Sequence, residues 1–491
     1  MRLDPTSLPE AVNLAAACVD VRDAVRALAF VGDLSMGQPV DHSARTAWIA
    51  SQLAAVLGGD GVQQRHCHDV ALLRWSGCTA NAPDVAELMA DDVSGRREML
   101  ATSARSLPAS VLGAIGRLTQ IHCEVSGDVA RRLGLAPVVE RALRQIFERC
   151  DGPLQDVPPE VFMVAAAGDL EIFSRVYGIE RALAFIAAKA DQQYPAAMVE
   201  ALRHHAADWL HSLEQGAAST DLTVPPIGPA ATAPLELIAD VIDLKLPWLT
   251  GFSRRVASCA RLCCAALGGS GEQQQRLYRA GLIHGLGRAS VPNHIWDAAS
   301  PPGDGVAELL RLVPYWTARA VRRIGSLSAE AEIASFVDER LDGSGFFRGA
   351  SGAAISTECQ MLAAAAHWVL LQTSRPGRPA LGLVQAAAQM HVEVGQGRFA
   401  AGIVAALTGQ LAVPVARGLP AAEALALSLR EVEVLSRISH GESNKEAARA
   451  LGISPSTVRA HLENVFRKLG CSTRAAATLK AMHLGLFMLA V

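Results

Sequence analysis

The sequence predicts an all-α protein: two copies of one helical bundle followed by a small four-helix domain. Three observations carry that expectation. Apolar residues recur at helical spacing, as in VASCARLCCAAL (256–267) and TAWIASQLAAVL (46–57), while period-two Val/Ile/Thr alternation is almost absent. A shift of 210 residues aligns 42–77 with 252–287 without a gap, and thirteen of those 36 positions are identical. The stretch 427–485 carries start and stop signals for four short helices.

With 491 residues the chain is too long for one compact domain. Half of it is apolar, 19% is charged and the mean hydropathy is +0.22, which excludes a disordered chain. No apolar run reaches the length of a membrane span, so no membrane partner is expected. The opening MRLDPTSLPEAV lacks the pattern of a signal peptide, and the ten cysteines form no CxxC pair or short-spaced framework. A cytoplasmic protein with reduced thiols is the expectation.

The repeat sets the order of the elements. Its shared skeleton is S-x-R-x-A, then A-x-L-G-G-x-G-x-Q-Q, then a Leu and a Gly. Looser matches follow: FERCDG (147–152) with DERLDGSG (338–345), and AAGDLEIF (166–173) with AAAHWVLL (364–371). The first copy is placed at 1–214 and the second at 235–410. The Pro/Ala/Ser/Thr-rich stretch 215–234 and the weaker break 411–424 are read as linkers, leaving 425–491 as the last domain. LGGDG (57–61) and LGGSG (267–271) lack a Lys and a preceding strand and are not phosphate loops. Cys259, Cys263 and Cys264 read as core, His204-His205 as a solvated face, and Asp342–Gly345 as a tight turn.

In the last domain, Leu429, Val432, Leu435 and Ile438 are expected on one face of its first helix. Gly441 ends that helix, Ser443 or Asn444 caps the next, and Gly452 makes the turn. Ser454 then caps a third helix with Pro455 as its first residue. Val458, Leu462, Val465, Phe466 and Leu469 form one stripe of it. Ser456, Arg459, Ala460, Glu463 and Arg467 form another, flanked by Thr457, Asn464 and Lys468. An outward face of Arg, small residues and hydroxyls suits a major groove. Charge agrees: 425–491 holds nine Lys/Arg against five Glu, +4, so the total of −3 leaves −7 on the rest.

On these residues, together with Ser443-Asn444-Lys445-Glu446, Leu451-Gly452-Ile453-Ser454, Thr457-Val458-Arg459 and Arg467-Lys468-Leu469-Gly470, the segment resembles the helix-turn-helix of LuxR-type transcriptional regulators. The resemblance implies a double-stranded DNA partner and a homodimer, with the third helix in the groove and the fourth used for pairing. It places Arg459, Ala460 and Glu463, beside Ser456, at base edges. Asn444, Lys445, Thr457 and Lys468 would meet phosphates.

The duplicated body resembles HD-GYP and related HD-domain phosphohydrolases, helical bundles with a bi- or trinuclear metal site. In the second copy ELIADVIDLKLPWLTGFSRRVA (236–257), LIHGLGRASVPNHIWD (282–297), DERLDGSGFFRG (338–349) and TSRPGRPA (373–380) carry the likeness. A binuclear centre needs imidazoles and a bridging carboxylate converging on two cations. Here Phe252 stands for the first His, His284-Gly285 for the His-Asp pair, Val313 for a later His, Val337-Asp338 for the His-His pair and Ala366 for a downstream Asp. The first copy keeps His42, His122 and Asp169 as weak metal candidates, but Arg74-Trp75 replace the His-Asp pair and Ile146-Phe147 the His-His pair. On that ground no catalytic residue, no cofactor and no phosphohydrolase activity is expected. The leading reading is a DNA-binding transcriptional regulator whose degenerate HD-like body senses an unknown small-molecule or protein signal, or dimerises. The alternative is a metal-dependent HD-family phosphohydrolase with an attached DNA-binding domain.

Overall fold

The computed structural model describes residues 17–101, 109–154, 156–216, 231–299, 303–409 and 427–489. The expected linker 411–424, and 217–230 of the other, lie outside the described residues. What is described is almost entirely helical, as expected. The exception is a two-stranded antiparallel ribbon in which Cys18–Asp20 pairs with Thr232–Pro234. Thus the end of the stretch read as a linker is a strand, and it ties the start of the second copy to the start of the first.

The repeat is visible as geometry. Helix His42–Val56 packs on Gly61–Leu73, and Phe252–Ala266 packs on Gly271–Ile283 in the same hairpin. The glycine segments make the two turns: Gly58 and Gly268 have φ of +85° and +78°. Asp60 and Ser270 then cap the following helices through Gln63 N and Gln273 N. The equivalence starts earlier than the sequence match. Asp33 accepts from the backbone and hydroxyl of Ser43, and Asp243 does the same from Ser253. Later, a Cβ on Gly77 would lie 2.3 Å from His122 O, and one on Gly287 would lie 2.0 Å from Val313 O. These close approaches place Val313 where the first copy has His122.

Two large apolar cores result. One fills the first copy and runs on into Leu235–Leu244, Leu282–Ala289 and Ala331–Ala334 of the second. The other joins Phe252–Cys264 to Thr357–Leu371 and Ile403–Leu407. The copies are also joined by a buried ion pair, Lys245 Nζ to Asp92 Oδ2 at 2.7 Å. All ten cysteines are free thiols; Cys263 and Cys264 are buried in the second core and Cys259 is partly so. His204 is exposed, and His205 stacks on Trp209. Asp342 accepts from Ser344 N in the tight turn expected there. Among the described residues no helix is long and apolar enough to cross a membrane.

Candidate functional site

The C-terminal domain is built from helices Leu429–Ser439, Asn444–Leu451, Pro455–Leu469 and Arg474–His483. Capping boxes start the first two, Ser428 with Glu431 and Ser443 with Glu446. Gly452 ends the second in the left-handed conformation and Ser454 caps the third, as expected; Gly470 ends the third in the same conformation. Val458, Leu462, Val465 and Leu469 are buried. The first helix differs from expectation, because its inner face is Val434, Leu435 and Ile438. Leu429, its first residue, is 81% exposed.

The outward face of the third helix is free of the body. Ser456, Thr457, Arg459, Ala460 and Glu463 are all exposed, as is Lys445 on the preceding helix. Arg459 Nε donates to Glu463 Oε1 at 2.9 Å, and the two side chains are 76% and 65% exposed. Ser454 Oγ links Ser456 and Thr457 at 2.7 and 2.8 Å. Asn444 is half-buried, its Oδ1 accepting from Arg474. Lys468 departs from its expected role on phosphate. Its ammonium sits 2.9 and 2.7 Å from the two carboxylate oxygens of Glu431, tying the third helix to the first. Sequence spacing placed Lys468 beside the outward stripe but could not show a carboxylate reaching it from another helix.

The fourth helix, which the resemblance assigns to pairing, is covered by the body. Ala476 through Met482 are buried, and the helix packs on Ala109–Arg132 and Leu235–Asp243. Lys480 Nζ donates to Leu469 O and Gly470 O at 3.1 and 2.7 Å and stands 3.5 Å from Asp128 of the body. Ser472 bonds to Glu124, and Thr250 Oγ1 donates to Ser439 O at 2.7 Å. The domain is thus docked through its fourth helix, with the outward face of its third helix exposed.

The structure does not bring His42, His122 and Asp169 together. His42 is fully buried, with Nδ1 on the Glu171 carboxylate and Nε2 on the Arg74 guanidinium. Burial, then the charge of Arg74, holds its pKa well below the usual imidazole value. His122 Nε2 donates to Arg74 O at 2.7 Å, and burial lowers its pKa to about 4. Asp169 accepts from Lys189 and Tyr194 at 2.7 and 3.0 Å. Gly168 makes room for the guanidinium, since a Cβ there would meet Arg74 Nη1 at 2.0 Å. Glu171, which the motif comparison passed over, is the hub: it accepts from His42, Arg45 and Arg175. Beside it opens a cavity of about 490 Å³, lined by Asp41, Arg45, Ser174, Arg175, Leu210 and Glu214 among others.

The second copy answers with the positions exchanged. His284 replaces Arg74 and Phe252 replaces His42, their rings 5.8 Å apart. His284 Nδ1 donates to Gly281 O at 2.6 Å, and Arg288 Nη2 lies 3.0 Å from Nε2. Burial and Arg288 lower the His284 pKa to about 3. Gly285 leaves space for Arg288, whose Nη1 a Cβ would meet at 2.4 Å. In each copy a buried guanidinium therefore sits against the remaining imidazole. Among the described residues no three His, Cys, Asp or Glu side chains converge as metal ligands. These residues do not fit a binuclear centre, and no step through a metal is derived from them.

Comparison with known proteins extends the picture. Residues 236–403 match the family model described as HD domain, and residues 425–481 match that of bacterial regulatory proteins, luxR family. The chain is 26% identical over 408 residues to 3'3'-cGAMP-specific phosphodiesterase 3 of Vibrio cholerae, covering 73% of this chain and 88% of that relative. It is 43% identical over 81 residues to the probable transcriptional regulatory protein NarL of Mycobacterium tuberculosis, spanning only 37% of that protein's length. A crystal structure of a cyclic GMP-AMP-specific phosphodiesterase from V. cholerae superposes with a TM-score of 0.58 at 20% identity, over 81% of this chain and 99% of that one; at this identity the fold alone is shared. The likeness to a phosphodiesterase over most of its length overturns the expectation that the chain is no enzyme. That expectation rested on missing motif residues, which do not by themselves decide what a body of this descent does. The chain carries an HD domain followed by a C-terminal DNA-binding helix-turn-helix domain of the luxR family.

Proposed function

We propose that this protein is a sequence-specific DNA-binding transcription regulator whose HD body recognises a cyclic dinucleotide and governs the release of the helix-turn-helix. The observation that carries the reading is the open third helix, with Arg459 and Glu463 exposed while the fourth helix is held by the body. Arg459, Ala460 and Glu463 read base edges, and Lys445, Ser456 and Thr457 meet phosphates, in a cytoplasmic homodimer on double-stranded DNA. The boundaries 1–214, 235–410 and 425–491 serve as the working division of the chain. The 490 Å³ cavity has the volume of a small-molecule pocket. A ligand that distinguishes the docked from the undocked arrangement shifts the balance between them.

Gel-shift titration against genomic fragments, with and without 3'3'-cGAMP, tests this. A specific fragment whose affinity changes at least several-fold with the dinucleotide is expected, and its loss in Arg459→Ala. Binding indifferent to that substitution refutes the groove contact. A second reading, a phosphodiesterase with an attached DNA-binding domain, is favoured by the likeness over 88% of such an enzyme. Turnover of 3'3'-cGAMP by the purified chain decides for it.

A further inference from the structure

A second, smaller cavity lies where body and helix-turn-helix meet. Thr250, Gly251, Arg254 and Arg255 line it from the body, and His440, Met482, Gly485 and Phe487 from the C-terminal domain. Its volume of about 40 Å³ holds roughly three waters, the space of one tetrahedral oxyanion.

The internal repeat supplies a control for its charge. Arg255 is the counterpart of Arg45 at the 210-residue shift. Arg45 is neutralised twice, by Glu171 and by Glu214, each at 3.1 Å. Arg255 donates to the Thr373 hydroxyl, and among the described residues no carboxylate pairs with it and its Nε has no partner. The nearby acids are engaged elsewhere: Asp240 holds Arg254 through two bonds of 2.7 Å, Asp243 accepts from Ser253, and Glu442 accepts from Arg437. A half-buried guanidinium with no carboxylate bonded to it among the described residues, facing a cavity of this size, is an anion-binding arrangement. The site opens at the start of the 15-residue helix Phe252–Ala266, whose dipole adds to the positive end.

We propose that this crevice binds a phosphoryl anion and that a ligand seated there holds the helix-turn-helix against the body. The bound group lies beside the bond from Thr250 to Ser439, so it touches both partners and favours the docked arrangement. The site is separate from the large cavity of the first copy; only its effect on docking rests on the regulatory reading above.

Calorimetric titration of the full chain in phosphate-free buffer tests it, with inorganic phosphate, 5'-AMP and 3'3'-cGAMP as separate probes. Binding of at least one probe is expected. Its affinity should fall at least tenfold in Arg255→Gln, recover in part in Arg255→Lys, and stay unchanged in Arg311→Gln. Phosphate as the effective probe identifies a free-ion site and AMP a terminal phosphoryl group, and each supports the proposal; binding of the cyclic dinucleotide alone, unaffected by Arg255→Gln, places the ligand in the large cavity and overturns it. Equal affinity in Arg255→Gln, or no binding of any probe to the wild type, overturns it. A melting curve for each variant separates loss of the site from loss of the fold. If the regulatory reading alone is wrong, anion binding persists while the Arg459-dependent gel shift is absent; if the crevice alone is wrong, the reverse is seen.

Discussion

Glu124 on the body receives two hydrogen bonds from Ser472, one from its amide at 2.7 Å and one from its hydroxyl at 2.9 Å. Ser472 lies in the turn between the third and fourth helices, so this contact fixes the groove-reading helix to the body at its far end. Removing the carboxylate in Glu124→Ala leaves the apolar packing of Ala476, Leu479 and Met482 in place. Docking is therefore expected to loosen by about 1–2 kcal/mol rather than disappear. Hydrogen exchange at the amides of 474–483 should quicken several-fold, and DNA affinity should rise as the pairing helix is freed. Unchanged exchange and affinity would show that the contact carries no docking energy.

Arg459 and Lys468 lie on the same helix and are expected to answer differently to substitution. Arg459 is exposed and bonds only within its own helix, so Arg459→Ala should leave the melting temperature unchanged. Its operator affinity should drop by about 1–3 kcal/mol, roughly five- to 150-fold. Lys468 joins Glu431 across two helices, half-buried, and Lys468→Met should instead lower stability by about 1 kcal/mol. The salt dependence of binding should be nearly unaltered in Lys468→Met, since the ammonium is already neutralised. A loss of one full phosphate contact in the salt slope would return Lys468 to the interface.

The contrast between those two residues marks how far the sequence could be read. Caps, turns and the buried stripe of the third helix follow local rules, and Ser454, Pro455 and Gly452 stand where those rules put them. The duplication was legible because glycines needed for turns and close approaches keep their places, as Gly77 and Gly287 do against His122 and Val313. Partners that meet only through the fold were not legible. Glu171 gathers His42 and Arg45 from another helix beside Arg175 of its own, and Arg288 reaches back over Phe252 to His284. Both lie inside stretches that carry the repeat or the likeness, Glu171 in 166–173 and Arg288 in 282–297, but nothing in those stretches names the partners they meet. Motif losses alone also misjudged the chemistry, because they say which side chains are absent and not what the body still binds.

Lys245 and Asp92 tie the two copies together in an environment with almost no water, their side chains 1% and 0% exposed. Asn293 completes the knot, its amide donating to Asp92 at 2.6 Å and its side chain to Lys245 O at 2.8 Å. Truncating Lys245 leaves the buried Asp92 carboxylate stranded but for Arg96 at 3.7 Å, so Lys245→Met should cost about 3 kcal/mol. The double variant Lys245→Met with Asp92→Asn should recover part of that loss, because the stranded carboxylate is gone. Urea unfolding of the three variants checks this, and a double variant no better than the single would show that the pair contributes by packing rather than by charge.

Asp33 and Asp243, the paired carboxyls that each bond a Ser at the start of a helix, carry opposite pH consequences from the buried histidines. Burial raises both to about 7 despite the bonds from Ser43 and Ser253. Between about pH 4 and pH 7 the folded chain then holds a proton at each that the unfolded chain has released, so stability falls as pH rises through this window. The lowered values of His122 and His284, about 4 and 3, act in the reverse sense below pH 6.5. Comparing Asp33→Asn with the wild type cancels the histidines. The amide keeps an acceptor for Ser43 and has no proton to lose, so its stability relative to the wild type should improve by about 1–2 kcal/mol from pH 5.5 to pH 8. Urea unfolding at those two pH values measures the difference, and a pH-independent offset would place the Asp33 titration outside this range.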